Sequence, residues 1–147
     1  MIVLDPGDRV LLMRYDDPAP NGPHWSTPGG GLNRGESYHE GAARELAEET
    51  GWTDVRVGAE QVFEQEIVMG YGPKPVVVRQ HESFFLARVD APCREVIDVD
   101  GMHQSDGIAA WRWWTMPEID ATSEVIWPAG LATLIRHLLQ DGDNGRI

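Results

Sequence analysis

Hydrophobic and polar positions divide this chain into stretches of different period. The opening segment, MIVLDPGDRVLLMRY, is apolar on both sides of Asp5-Pro6-Gly7-Asp8 and reads as two short strands around a turn. The first strand has only about three residues, which leaves open a start upstream of Met1 or a stunted edge strand. DDPAPNGPHWSTPGGGLNRGES follows, rich in Pro, Gly and Asn, and predicts one long loop. Loops of that length in a compact domain are usually functional. From about Tyr38 to Thr50 the period becomes helical. Ala43, Leu46, Ala47 and Thr50 fall in one arc, the i, i+3, i+4, i+7 spacing of a core-facing stripe. Ser37 and Glu40 form an S-x-x-E capping box at its start, and Gly51 supplies the stop.

Strand-like segments come next, around Val55–Val57, Gln61–Met69, Val76–Val89 and Ile108–Trp114. GYGPKP is expected to join two of them as a hairpin, and CREVIDVDGMHQSDG reads as an irregular surface segment. A second helix is expected from about Pro128, which suits a first turn, to Gln140. Leu131, Leu134, Ile135 and Leu138 would line one face of it. Residues 141–147 read as a frayed tail. Strands interleaved with two helices predict a single mixed α/β layered domain over residues 1–147.

Charge narrows the partners. Twelve Lys and Arg stand against 24 Asp and Glu, a formal net charge of −12 at pH 7. Such a surface repels nucleic-acid backbones and anionic membranes, so the expected partner is a small molecule. A phosphorylated ligand is compatible with it where divalent cations reverse the local sign. No apolar run reaches a membrane span, and no signal peptide opens the chain. The single cysteine, Cys93, cannot form an internal disulfide and fits a reducing, cytoplasmic setting; a nucleophilic role for it lacks a base partner. The five histidines show no zinc-like spacing.

The acidic stretch RELAEETGW poses the chemical question. Glu45, Glu48 and Glu49 cluster on the side of the helix opposite the apolar stripe, with Arg44 at their edge. Like charges three and four apart destabilise a helix by roughly 0.2–0.5 kcal/mol per pair. A solvated outer face is the ordinary explanation for such a cluster. Three carboxylates from one turn also suit a hard cation that takes oxygen ligands. The glycine-rich PGGGLNRGE immediately upstream favours the second explanation, because three consecutive glycines allow a close backbone approach to the glutamates.

Taken as one unit, Gly30 to Trp52 resembles the Nudix box, the signature of hydrolases acting on nucleoside diphosphates linked to another group. Gly30, Glu36, Arg44, Glu45, Leu46, Glu48, Glu49 and Gly51 fall in register with that pattern, and Trp52 stands where a smaller aliphatic residue is usual. RVLLMRY, WSTPGGG, HESFFLARV, WRWW and the closing VIWPAGLATLIRHLL resemble the family's strands and terminal helix more loosely. The resemblance implies an α/β/α sandwich with a mixed sheet between helices. It further implies that Glu45, Glu48 and Glu49 bind Mg²⁺, with Mn²⁺ as a substitute, aided by a backbone carbonyl near Gly30. Glu45 would orient or deprotonate the attacking water, while Arg44 pairs with Glu36 to aim the carboxylates.

Outside the box, Glu82 is the first candidate for a further metal ligand, ahead of Glu64 and Glu66, with Arg79 and His81 beside it as phosphate contacts. Surface placement is the alternative for each. Trp111, Trp113 and Trp114 read as core. His24 and Trp25 are placed to stack on a base, but for Trp25 a packing role that anchors the loop is the favoured one. The expected activity is hydrolysis of a nucleotide P–O–P bridge, with nucleoside triphosphates, oxidised ones included, favoured. ADP-ribose, for which the nearest prolines, Pro73 and Pro75, lie too far along, and dinucleoside polyphosphates, for which Tyr71 is an approximate match, are alternatives. So is a catalytically silent nucleotide-binding module. A homodimer is left open.

Overall fold

The computed structural model describes residues 1–71 and 76–143. Seven strands form one mixed sheet: β1 (Ile2–Leu4), β2 (Val10–Asp16), β3 (Pro23–Ser26), β4 (Val57–Tyr71), β5 (Val76–Arg88), β6 (Ile108–Trp114) and β7 (Ile126–Trp127). Their order is β4-β5-β1-β2-β3-β7, with β6 on the other edge of β2. β1 runs parallel to β5, and β3 parallel to β7; the other pairs are antiparallel. Among the described residues, four α-helices accompany the sheet: α1 (Tyr38–Thr50), α2 (Met102–Asp106), α3 (Met116–Ala121) and α4 (Leu131–Asp143).

Side-chain alternation divides β1 and β2 between two cores. Val3, Leu11 and Met13 join Leu46 of α1, Trp52, Phe85 and Trp113 on one face. Ile2, Leu4, Val10 and Leu12 join Leu131, Ala132 and Ile135 of α4, with Trp25, Phe84 and Trp114, on the other. Burial on both faces accounts for the unbroken apolar runs at 2–4 and 10–13, since neither side of these strands meets water. The result is the expected α/β/α sandwich.

The turn after β1 is held by a buried carboxylate. Asp5 accepts the amides of Gly7, Arg9 and Cys93 and the Arg9 Nε–H, each at 2.8–2.9 Å. These donors keep its carboxyl below the ordinary value despite the burial that opposes them.

Several expectations are corrected. Residues 16–37 are not one unbroken loop, because Asp16 ends β2 and β3 threads between β2 and β7 and buries Trp25. Trp25 takes the packing role favoured for it, edge-on to Trp114 at 5.2 Å, and is unavailable to a base. Val55 lies before β4, which runs on from Val57 through register shifts near Gln61 instead of breaking into two strands. The segment at 99–106 is a short 3-10 turn followed by α2. The last helix begins at Leu131, not Pro128. β7 takes Ile126 and Trp127, and Gly130 adopts a left-handed φ of 75° that only a residue without Cβ adopts freely. That helix extends to Asp143, past the expected start of the frayed tail. The turn expected at GYGPKP lies mainly outside the described residues.

Candidate active site

Helix α1 sets the geometry. Ser37 accepts the Glu40 amide through Oγ, the Glu40 carboxylate accepts the Ser37 amide, and Gly51 closes the helix at a φ of 71°. With both ends fixed, Glu45, Glu48 and Glu49 have defined directions, and their surroundings differ sharply. The side chains of Glu45 and Glu48 are 14% and 39% exposed. Glu49 is only 2% exposed, so the expectation that all three lie on an open face is corrected. Tyr15 of β2 and the segment carrying α2 close over its side of the helix.

Arg44 is the hub of the outer part. Its Nε and Nη2 donate to the two oxygens of Glu36 at 2.8 and 2.9 Å, a bidentate pair that ties loop to helix. Nη2 also reaches the Gly31 carbonyl, and Nη1 donates to Glu45 Oε1 at 2.8 Å and Glu48 Oε2 at 3.1 Å. Hydrogen bonding from Arg44 holds the Glu36 carboxyl at about 2, and the same contacts raise the affinity of the guanidinium for its proton.

The glycine loop passes directly over Glu45. A Cβ on Gly30 would lie 2.5 Å from Glu45 Oε1 and 2.7 Å from Oε2, so any side chain there would displace the carboxylate. One residue earlier, the Gly29 amide donates to Glu49 Oε2 at 2.9 Å. Glu49 Oε1 accepts the Tyr15 hydroxyl at 3.3 Å, and the Glu49 backbone carbonyl accepts His103 Nε2 at 2.6 Å. Burial pushes the Glu49 carboxyl up to about 8, opposed by the Gly29 amide. Burial, with Glu49 next, pushes the Tyr15 phenol far above its usual value, so it remains a donor.

Among residues outside the box, Glu82 sits at the margin of the site. Glu49 and Glu82 both lie within electrostatic range of the Met1 nitrogen. Gln65 and Gln80 hold the Glu82 carboxylate at 2.7 and 2.9 Å. Glu64 and Glu66 are exposed and pair with His81 and Arg79, which strand alternation puts on the other face of β5 from Glu82. The expected cationic patch beside Glu82 is therefore engaged elsewhere. His24 is half-buried and stacks on Tyr15 at 5.4 Å, with Nδ1 on the Gly22 carbonyl. Trp113 and Trp114 are buried and Trp111 packs partly against the core, as expected.

Tyr15 and His103 are the contacts that sequence reasoning missed. They lie 34 and 54 positions from Glu49, and no spacing rule links them to it. As the side chains stand, no group of three or more His, Cys, Asp or Glu among the described residues is gathered tightly enough to hold an ion. Arg44 instead ties Glu45 and Glu48 to itself. The box side chains that could serve a cation here, Glu45, Glu48 and Glu49, offer oxygens throughout.

The site is thus a glycine loop laid across a helix that bears the Arg44-Glu45 and Glu48-Glu49 pairs, carried on an α/β/α sandwich. The chain belongs to the Nudix family: the NUDIX domain model matches residues 1–136. It is 31% identical over 138 residues to an RNA pyrophosphohydrolase of Caulobacter vibrioides, a match covering 87% of this chain and 74% of that protein. It is 32% identical over 97 residues to an RNA pyrophosphohydrolase of Sodalis glossinidius, covering 60% of this chain and 54% of that protein. The chain thus spans about half the length of the Sodalis protein, at 54%. Among solved structures, the E. coli dihydroneopterin triphosphate pyrophosphohydrolase matches with a TM-score of 0.64 at 20% identity, over 95% of this chain and 93% of that one, a likeness of fold.

Proposed function

We propose that this chain is a divalent-cation-dependent pyrophosphohydrolase, cleaving the P–O–P bridge of a nucleoside diphosphate linked to another group. The observation that carries the reading is the cradle of Gly30 over Glu45, set between the Arg44–Glu36 clasp and the buried Glu49. An all-oxygen donor set with a carboxylate already desolvated fits Mg²⁺ or Mn²⁺, with Glu45, Glu48, Glu49 and the Gly30 carbonyl as ligands and Glu82 as a further one from β5. A bound cation would offset the charge of the phosphate oxygens as the bridge opens.

The protein's own groups do the rest. Arg44 uses one lone pair of Glu45 Oε1 and so fixes the carboxylate, whose other Oε1 lone pair would face the cation while Oε2 takes the proton of the attacking water. The water oxygen forms the new P–O bond, the bridging P–O bond breaks, and the leaving phosphate carries away the electron pair. Tyr15 and the Gly29 amide keep Glu49 from swinging into solvent.

The substrate class is a small nucleotide, with nucleoside triphosphates, oxidised ones included, as the first choice. The names of the two bacterial relatives favour a second reading, removal of pyrophosphate from a 5′-triphosphorylated RNA end. The net charge of −12 disfavours a long nucleic-acid footprint, so such a substrate would be gripped at its terminal phosphates alone.

The deciding experiment is a hydrolysis screen with and without Mg²⁺, with products identified by mass. The panel holds dNTPs, 8-oxo-dGTP, ADP-ribose, diadenosine polyphosphates and a 5′-triphosphorylated oligoribonucleotide. Metal-dependent cleavage of one member at a P–O–P bridge is expected. Nucleotide binding without cleavage across the panel would instead establish a silent binding module.

A further inference from the structure

Besides the Gly29 amide, two residues far from the box in sequence hold Glu49, and each uses a different part of it. On the carboxylate side, Tyr15 of β2 donates its hydroxyl to Oε1 at 3.3 Å, and its ring is braced by the His24 stack at 5.4 Å. On the main-chain side, His103 of α2 brings Nε2 to the Glu49 carbonyl at 2.6 Å. A carbonyl only accepts, so Nε2 carries the proton. His103 is itself placed by Asp98, whose Oδ1 accepts the His103 amide at 3.0 Å.

The neighbouring contacts run the same way. Glu49 O and Thr50 O belong to the last turn of α1, where helix carbonyls lack intrahelical partners. His103 satisfies the first, and the Ile97 amide satisfies the second at 2.9 Å. Ile97 also presses on Gly51, where an added Cβ would meet its Cβ at 2.9 Å. The chain from Ile97 to Asp106 therefore clasps the end of the helix that carries the last two box glutamates. Asp106, closing α2, is near enough for its charge to act on Tyr15.

We propose that Tyr15 and His103 are positioning residues of the cation site. Tyr15 fixes the rotation of the Glu49 carboxylate, and His103 fixes the helix end from which Glu49 projects, so the divalent-cation affinity of the protein depends on both. The inference rests on the reading of Glu49 as a cation ligand. Partners that orient a ligand from behind typically change metal affinity by about 10–100-fold when removed.

The test titrates Mn²⁺ into the protein without nucleotide and follows the electron paramagnetic resonance signal of the free ion. Tyr15→Phe keeps the ring on His24 and removes only the donor. His103→Ala removes the clasp, while His103→Gln restores an amide donor at similar reach. Melting of each variant in EDTA establishes that it is folded. Tyr15→Phe and His103→Ala are expected to raise the Mn²⁺ Kd by about tenfold or more, with His103→Gln close to the parent. Arg136→Gln, which breaks a surface pair with Asp120 on the α4 side, is expected to leave Kd unchanged. Folded variants with lower melting temperatures but the parental Kd would overturn the proposal, since a merely structural role predicts that pattern. A parent without saturable Mn²⁺ binding would overturn it as well, together with the metal reading. Mn²⁺ binding weakened in the variants, in a protein that cleaves nothing in the hydrolysis screen, would uphold this inference and sink only the hydrolase reading.

Discussion

Gly30 and Glu45 are in contact because one has no side chain and the other has a carboxylate that needs the space. Gly30→Ala would put a methyl 2.5 Å from Glu45 Oε1, and its backbone conformation suits alanine, so the protein should fold with the carboxylate pushed aside. Turnover is expected to drop while the thermal unfolding curve barely moves, a split that circular dichroism and a rate assay would show. Glu45→Gln keeps the shape and removes the base, so kcat should fall by about 10²–10⁴. An unchanged rate would remove Glu45 from the mechanism. Glu36 offers a pH signature. Its folded value, about 2, lies below the ordinary 4.5, so its pairing with Arg44 stabilises the fold above 4.5 and is lost as pH falls toward 2. Thermal melts over that range should show a loss of stability that Glu36→Gln lessens.

Helix α1 is the element on which the site depends, and most of it was legible in the sequence. Its bounds, its capping box and its Gly51 stop follow from local rules, because caps and an i, i+4 stripe involve neighbours in the chain. Ser37→Ala removes the Oγ acceptor of the Glu40 amide and should cost about 1 kcal/mol in urea denaturation. Leu46→Ala, emptying a site 1% exposed on the stripe, should cost about 2–5 kcal/mol. Helix α3 carries an equally local start signal but a weaker period. Thr115-Met116-Pro117-Glu118 forms a second capping box, but six residues are too few to show a period. β3 is illegible in the sequence for another reason. Its pairing with β2 and β7 is non-local, and a four-residue strand beginning at Pro23 within a Pro- and Gly-rich stretch resembles a loop.

At the scale of the molecule, the sandwich buries one core against α1 and another against α4, so the site rests on a two-sided scaffold. Cation binding to the folded state alone should stabilise it by about 2.7 kcal/mol at a hundredfold excess over Kd. Added Mg²⁺ should therefore raise Tm by roughly 5–10 °C, and differential scanning calorimetry with and without EDTA would check it. No shift at millimolar Mg²⁺ would point to a solvated acidic face. The sequence by itself determined α1, the box register from Gly30 to Gly51 and the layered α/β class, since each is written in short-range spacing. Only the tertiary structure decided that Glu49 lies inside while Glu48 lies outside, and that Tyr15 and His103 grip it. The two glutamates are adjacent in sequence with the same chemistry. What separates them is β2 and α2 packing onto one side of the helix, a closure between distant segments that no local period encodes.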